Sequence, residues 1–297
     1  MPPLLPIATG SLAAEKLPLE ALGAFEWLTN SILVSLVVVG IVLFFARRAT
    51  KNVKLVPDGP QNTFEAVVEI LYDTVEEIVG PKMVAKIFPL LASLFLFILT
   101  ANWFGLLPGV GSIGFGVKTG FFTLSSISEP LLRPATADLN MTLAMAAIFM
   151  VLWLYWSIQE MGVGGFLKHM FGVKGGLHGI MAIALAPIFF GVGLIEVVSI
   201  AFRPVSLSLR LFGNVFAGET LLATMLTLGD TLGMPAFVAR VMSIIIPIPF
   251  YFLELLVGLL QAMVFTLLCA VYVALSTSHD EDEHAEGNAE HAPPAKA

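Results

Sequence analysis

The chain has 297 residues, of which 57% are hydrophobic and 12% charged, and its mean hydropathy is +0.90. Soluble globular domains have about a quarter of their residues charged, so this composition excludes that class and indicates a polytopic membrane protein. The net charge of −7 does not describe an acidic surface, because the tail after Ser278 alone contains six carboxylates and one lysine. The single cysteine, Cys269, excludes a disulfide framework.

Five apolar stretches are long enough to cross a bilayer, which requires about 20 helical residues. They cover residues 31–46, 87–107, 139–158, 179–229 and 236–276. The last two exceed one perpendicular crossing, so we expect them to tilt strongly, to kink at prolines or to lie partly along the membrane plane. The candidate bending points are Pro187, Pro204, Pro247 and Pro249.

The predicted fold is therefore an all-α integral membrane protein with about five membrane-embedded helices. Residues 31–278 form the membrane domain, and residues 179–276 form a long helical hairpin within it. The N-terminal residues 1–30 have no basic start typical of a cleavable signal, and we expect them on the outer side. Residues 279–297 are expected to be a disordered acidic tail.

Lysine and arginine residues flank these stretches unevenly, which predicts the orientation. With the N-terminus outside, the inner loops receive Arg47, Arg48, Lys51, Lys54, Lys82, Lys86, Lys168 and Lys174. Apart from Lys16, the outer side receives only Lys118, Arg133 and Arg240. The positive-inside rule therefore places the C-terminal tail in the cytoplasm.

Residues 62–80 predict an amphipathic helix that does not cross the membrane, since its apolar residues recur at i, i+3, i+4 and i+7. Asn62 and Glu65 resemble a capping box, and Gly80-Pro81 ends the helix. The opposite face is acidic and would be repelled by anionic lipid. We therefore favour contact with a partner protein over a simple interfacial anchor. The acidic residues are Glu65, Glu69, Asp73 and Glu77.

Arg210 lies inside one of the apolar stretches, where a guanidinium costs about 2.5–3.5 kcal/mol on insertion scales and above about 10 in simulations. An arginine does not escape this cost by losing its proton. We expect a functional role facing an anion or an ion path, with a purely structural role as the alternative. Helical geometry at 100° per residue puts small or polar residues on the same face, which allows another helix to approach closely. These are Ser206, Gly213, Asn214 and Ala217.

Two carboxyl groups flank Arg210 in depth. Glu219 is rotated by about 180° and displaced by about 13.5 Å, so no simple ion pair with Arg210 is expected. Glu196 lies within about 40° of the Arg210 face but about 21 Å toward the inner side.

The last predicted helix mirrors this arrangement. Glu254 and Gln261 lie on one face, and a hairpin turning at residues 233–235 would put Gln261 level with Arg210 and Glu254 level with Glu219. Two carboxyl groups facing each other away from water bind and release a proton as a pair. A polar contact that merely joins two helices is the alternative.

These residues resemble a known family. Residues 203–214 read RPVSLSLRLFGN and are followed by Ala217-Gly218-Glu219, which is similar to the signature of subunit a of F-type ATP synthases. Gln261-Ala262 with Tyr272, the run NWFGLLP at 102–108 and the run TADLNMT at 136–142 add to the resemblance. It covers roughly residues 58–276 and leaves out the N-terminal thirty residues and the tail.

The resemblance implies the stator half of a proton turbine, pressed against a rotating ring of c subunits that each have a carboxylate, with two offset half-channels. Arg210 would hold the passing ring carboxylate ionised and block leakage, with Gln261 supporting it. Glu219 and Glu254 would relay protons on the outer side. Many members have histidine where this chain has Glu254, which leaves its protonation state open. Asn214 and Ser206 would lie near the transfer point, and Glu196 would line the inner route.

The resemblance also implies the partners: the c-ring, peripheral stalk b subunits near the helix at 62–80, protons and the lipid bilayer. No cofactor, bound metal or nucleic acid is expected. A phosphate loop of the GxxxxGK[ST] type is absent from the sequence, so ATP chemistry is not expected on this chain. A bacterial inner membrane is the expected location, with an organelle inner membrane as the alternative.

Several features leave alternatives open. Asp138 and Asn140 could lie at a channel mouth, although capping of a helix is favoured. Arg203 lines the inner route or extends toward lipid headgroups. The tail histidines could bind a metal, although a solvated tail is favoured. The rival functions are a self-contained channel or secondary transporter, which would show inverted repeats, and a non-conducting scaffold.

Overall fold

The computed structural model describes residues 29–51, 53–107, 110, 114–116, 127–130, 133–171 and 180–277. Residues 1–28 of the expected N-terminal segment and the whole expected tail, 279–297, lie outside this part of the chain. The described helices are α1 (Asn30–Thr50), α2 (Pro60–Val79), α3 (Pro81–Gly105), α4 (Leu139–Phe171), α5 (Ile180–Thr231), α6 (Ala236–Ile245) and α7 (Pro247–Thr277).

The all-α membrane architecture is confirmed. Within the described residues, five helical segments are long and apolar enough to cross a membrane, and α6 with α7 counts as one of them. A short antiparallel pair of strands, β1 (Gly114–Gly116) and β2 (Ile127–Pro130), was not predicted. It lies in the connection between α3 and α4, outside the apolar stretches, where the bilayer's requirement for internally satisfied helices does not apply.

The start of α2 differs from the prediction. The predicted capping box at Asn62 and Glu65 does not form. The helix begins at Pro60 after Gly59, and no side chain caps it. Proline suits this position because its missing N–H would have no helical partner there. The Glu65 carboxylate instead accepts a 2.8 Å hydrogen bond from the Gln61 side chain, which also bonds both backbone groups of Lys54.

The helix breaks agree with the candidate bending points only in part. Helix α5 runs unbroken for 52 residues through Pro187 and Pro204, since neighbouring groups in a membrane protein compensate the hydrogen bond that a proline removes. Helix α4 continues to Phe171, past the expected end at residue 158, but it kinks at Gly162, whose φ is 70°. The final stretch divides at Ile246, directly before the candidate bending point Pro247, which begins α7.

The main core joins α2, α3, α4, α5 and α7. Buried side chains at its centre include Ile87, Leu91, Phe149, Leu211 and Phe265. Helix α1 packs separately, with Val34 and Val38 against Ala101 of α3 and Ala135 of the linker before α4. Helix α5 contributes little to this core and lies mostly on the outside of the chain.

Replacing Gly80 with alanine tests the junction between α2 and α3. Gly80 has φ 79° and ψ 163°, a conformation open essentially to glycine alone, so Gly80→Ala should cost about 1–3 kcal/mol of stability. Gly40→Ala is the matched control, because Gly40 lies within α1 and no atom is within 4 Å of an added Cβ. The measurement is the thermal denaturation of each purified protein in detergent, and equal denaturation temperatures would contradict the strain at Gly80.

Candidate functional site

One face of α5 presents polar and small residues to the exterior of the chain. Arg210, Ser206, Asn214 and Ala217 are all exposed. The side of these helical turns that faces the chain is buried. Its residues are Leu207, Ser208, Leu211 and Phe212. Gly213, which was also predicted for this face, is half-buried. Arg210 itself projects away from the core of this chain.

Asn214 and Gln261 connect this face to α7. The Asn214 side-chain Nδ2 donates a 2.6 Å hydrogen bond to Oε1 of Gln261. Gln261 is only 4% exposed, and its Nε2 has no hydrogen-bond partner within the described part of the chain. A buried amide donor without a partner is costly, so this group is suited to a water molecule or an incoming acceptor.

A cavity of about 40 Å³ lies beside Gln261, between α3, α5 and α7. This volume accommodates about two or three water molecules. Both Glu219 and Glu254 line it, as the hairpin register predicts. The remaining lining residues are Asn102, Gly105, Leu106, Pro134, Asn214, Val215, Leu222, Val257, Gly258 and Gln261.

Gly218 makes room for the second carboxyl group. A Cβ atom added to Gly218 would collide with the carboxylate of Glu254. Because glycine has no side chain, the backbone of α5 approaches α7 closely at this level. The Glu254 carboxylate therefore lies directly against the backbone of the residue that precedes Glu219.

The ion partner of Glu219 is Arg133, for which the sequence predicts only a place in an outer loop. Arg133 Nε lies 4.0 Å from Glu219 Oε2, and Arg133 is only 8% exposed. The sequence signal for Arg133 is its position, because it directly precedes residues 134–138, which overlap the TADLNMT motif at 136–142. The sequence could not show that the loop folds back onto α5.

Residues 133–138, which we call the α4 linker, are buried throughout. The Thr136 hydroxyl donates to Asn102 Oδ1 at 2.9 Å, and Asn102 Nδ2 donates to the Gly258 carbonyl at 3.2 Å. Pro134 packs so closely on Gly105 that an added Cβ would lie 2.6 Å from its Cγ. The linker is thus attached to both α3 and α7.

The other candidate residues lie away from the cavity lining. Asp138 Oδ1 accepts a 3.0 Å hydrogen bond from the Asn140 N–H, the bond expected of a residue that caps α4. Asn140 itself is exposed, and Glu196 is partly buried on α5.

Arg203 has an environment that was not anticipated. Its guanidinium lies over two aromatic rings, 5.5 Å from the centre of Trp153 and 4.7 Å from that of Tyr272. The Trp153 indole also donates a 2.8 Å hydrogen bond to the Tyr272 carbonyl. Cation–π contacts of this kind hold a charge at a fixed place, so Arg203 joins α4, α5 and α7.

The comparisons with known proteins agree with the motifs. The family described as ATP synthase A chain matches residues 29–274. The chain belongs to this family. It is 32% identical to an ATP synthase subunit a of Protochlamydia amoebophila over 254 residues, which is 86% of this chain and 82% of that protein. The subunits a of Gloeobacter violaceus and Aliarcobacter butzleri are each 31% identical, over 87% of this chain and 84% and 92% of their own lengths.

A member of this family is a multi-pass subunit of the membrane sector of F-type ATP synthase and takes part in proton transport for ATP synthesis. The resemblance seen in the sequence is therefore confirmed.

Replacing Gly218 with alanine tests the close approach of α5 and α7. The new methyl group would displace the Glu254 carboxylate, and overpacking of this kind costs about 1–3 kcal/mol. Gly213→Ala is the matched control on the same helix, because no atom lies within 4 Å of a Cβ added there. We expect the denaturation temperature of the detergent-purified protein to fall for Gly218→Ala alone; equal changes in the two variants would rule out a specific contact with Glu254.

Proposed function

We propose that this chain is the stator of the proton turbine, with Arg210 acting as the fixed cation between two separate proton half-channels. The observation that supports this most directly is the division of α5 into two faces. Arg210 is exposed on one face, whereas Glu219 lines the cavity on another. A carboxylate of the rotating c-ring would meet Arg210 from outside the chain.

The exposure of Arg210 suits a charged partner better than lipid. Its neighbours on the face are the polar Ser206 and Asn214 and the small Ala217, which leave space for a helix to approach. A guanidinium facing lipid alone is costly. A carboxylate on the approaching helix would offset that cost, and the cation would keep the carboxylate ionised while it passes.

The cavity is the candidate for the outer half-channel. It brings Glu219 and Glu254 together with Asn214 and Gln261, so a proton bound by the carboxyl pair has a polar path toward the exposed face. Asp138 and Asn140 are assigned to the capping of α4, because the Asn140 N–H donates to Asp138 Oδ1 at 3.0 Å. Glu196, at the other end of α5, would line the inner half-channel, with the N-terminus outside and the C-terminus in the cytoplasm of a bacterial cell.

The energetic argument for two half-channels is the membrane potential. Each proton crossing 100 mV releases about 2.3 kcal/mol, and a continuous path would dissipate this energy as leakage. A permanent cation interrupts such a path by repulsion. Protons then cross only by riding on ring carboxylates, which couples their passage to rotation.

Replacing Arg210 with alanine tests this function directly. We expect Arg210→Ala to abolish ATP-driven proton pumping, because the ring carboxylate loses the cation that ionises it. The measurement is the quenching of a pH-sensitive dye in inverted membrane vesicles that contain the complete complex. Leu209→Ala is the control, since Leu209 is the adjacent residue and is 50% exposed.

Pumping by Arg210→Ala at the rate of the Leu209→Ala control would overturn the proposed function. The same vesicles, stripped of the catalytic sector, should conduct protons passively in the Arg210→Ala variant. Passive conduction would show that the subunit is still assembled and that only the barrier to protons has been lost.

We further propose that α2 contacts the peripheral stalk b subunits. Glu65, Glu69, Asp73 and Glu77 are exposed along this helix, while Leu71 and Val75 are buried against the core. An exposed row of carboxylates suits a partner with a basic face, and attraction between the two charged surfaces would guide docking.

Reversing the acidic face of α2 tests this contact. The triple variant Glu65→Lys, Glu69→Lys, Asp73→Lys should reduce the recovery of b subunits with the purified complex by about tenfold, the effect of about 1.4 kcal/mol of lost attraction. Asp58→Lys is the control, since it reverses an exposed charge just before the helix. Undiminished recovery of b subunits with the triple variant would exclude this face as the contact.

A further inference from the structure

Arg133 is a buried cation outside the spanning helices. It is 8% exposed, although it begins a linker where an arginine side chain would ordinarily reach water. A guanidinium does not lose its proton under these conditions, and a buried charge is costly unless it is paired. The 4.0 Å separation between Arg133 Nε and Glu219 Oε2 identifies a compensating group.

The α4 linker holds Arg133 in place from both sides. Pro134, the next residue, packs on Gly105 of α3, and Thr136 is bonded through Asn102 to the Gly258 carbonyl of α7. A side chain that projects from such an anchored segment keeps its position. The guanidinium therefore acts as a fixed charge rather than a mobile surface group.

The charges around the cavity can be counted. Glu219 and Glu254 both line it, and Arg133 lies against Glu219. With both carboxyl groups ionised, these three side chains have a net charge of minus one, so a single bound proton makes them neutral. Arg133 lies against Glu219 rather than Glu254, so the pairing assigns the fixed negative charge to Glu219 and the proton to Glu254, which lies against the Gly218 backbone.

We propose that Arg133 is a positioning residue for proton transfer, which keeps Glu219 ionised and directed into the cavity and leaves Glu254 as the group that binds and releases the proton. This inference rests on the proposed function and deepens it, because it divides two similar carboxyl groups between two roles. Glu219 is the fixed negative charge that attracts a proton into the cavity, and Glu254 is its carrier toward Gln261 and Asn214.

The first test compares two substitutions of Arg133 in complete complexes. Arg133→Gln removes the charge, whereas Arg133→Lys preserves it. We expect ATP-driven pumping in inverted vesicles, normalised to the amount of this chain, to fall by at least about tenfold for Arg133→Gln, because the Glu219 carboxylate then loses its neighbouring cation. Arg133→Lys should restore most of the rate, which a purely packing role would not allow.

Arg240→Gln is the matched control, because Arg240 is also a basic residue predicted for the outer side, but it lies on α6 and is exposed. It should pump at the unmodified rate. Equal pumping by Arg133→Gln and Arg240→Gln would overturn the inference, as would equal losses in Arg133→Gln and Arg133→Lys.

A double-mutant cycle addresses the possibility that Arg133→Gln fails to assemble. Removing both charges, in Arg133→Gln with Glu219→Gln, leaves neither member of this pair without its counter-charge. If Arg133 acts through Glu219, the double variant should accumulate and pump like Glu219→Gln alone, so the two effects are non-additive. Independent, multiplying losses in amount and rate would overturn the inference.

The Arg210→Ala variant, measured in the same vesicles, separates a failure of this inference from a failure of the proposed function. Loss of pumping in Arg210→Ala together with full pumping in Arg133→Gln would refute the role of Arg133 alone. Full pumping in Arg210→Ala would refute the proposed function and, with it, the role of Arg133 in proton transfer.

Discussion

The energetic cost of a charge in a medium of low dielectric constant is the constraint behind the positions of three arginines in the described part of the chain. The described structure uses a different solution for each of three arginines. Arg133 lies against the carboxylate of Glu219, and Arg203 lies over the rings of Trp153 and Tyr272. Arg210 remains exposed on the chain's own surface. The first two charges are compensated within the chain, whereas the third suits compensation by another subunit.

Close backbone approach at glycines makes the polar cavity possible. Gly218 admits the Glu254 carboxylate, and Gly258 lies where an added Cβ would be 3.2 Å from Asn102 Cβ. Larger residues would separate α3, α5 and α7 and open the cavity to lipid. Small residues here keep the helices near enough for Asn214 to reach Gln261. The polar groups thus depend on apolar packing for their spacing.

The sequence predicted the helices and the carboxyl pair, because both depend on local patterns. Apolar runs and helical geometry placed Glu219 level with Glu254, and the structure brings them to one cavity. The capping box at Asn62 was wrong, since Gln61 forms a competing bond with Glu65. Arg133 was missed for a different reason: its contact with Glu219 spans a long interval of sequence and depends on how a linker folds. The partners of Arg203 were missed for the same reason, because periodicity along one helix contains no information about its neighbours.

The unbroken course of α5 has a mechanical consequence. Arg210 and Glu219 belong to one continuous helix of 52 residues, so the distance between them along the axis, about 13.5 Å, does not change when the helix moves as a rigid body. Rigid-body movement of α5 at Arg210 therefore also moves the wall of the cavity at Glu219.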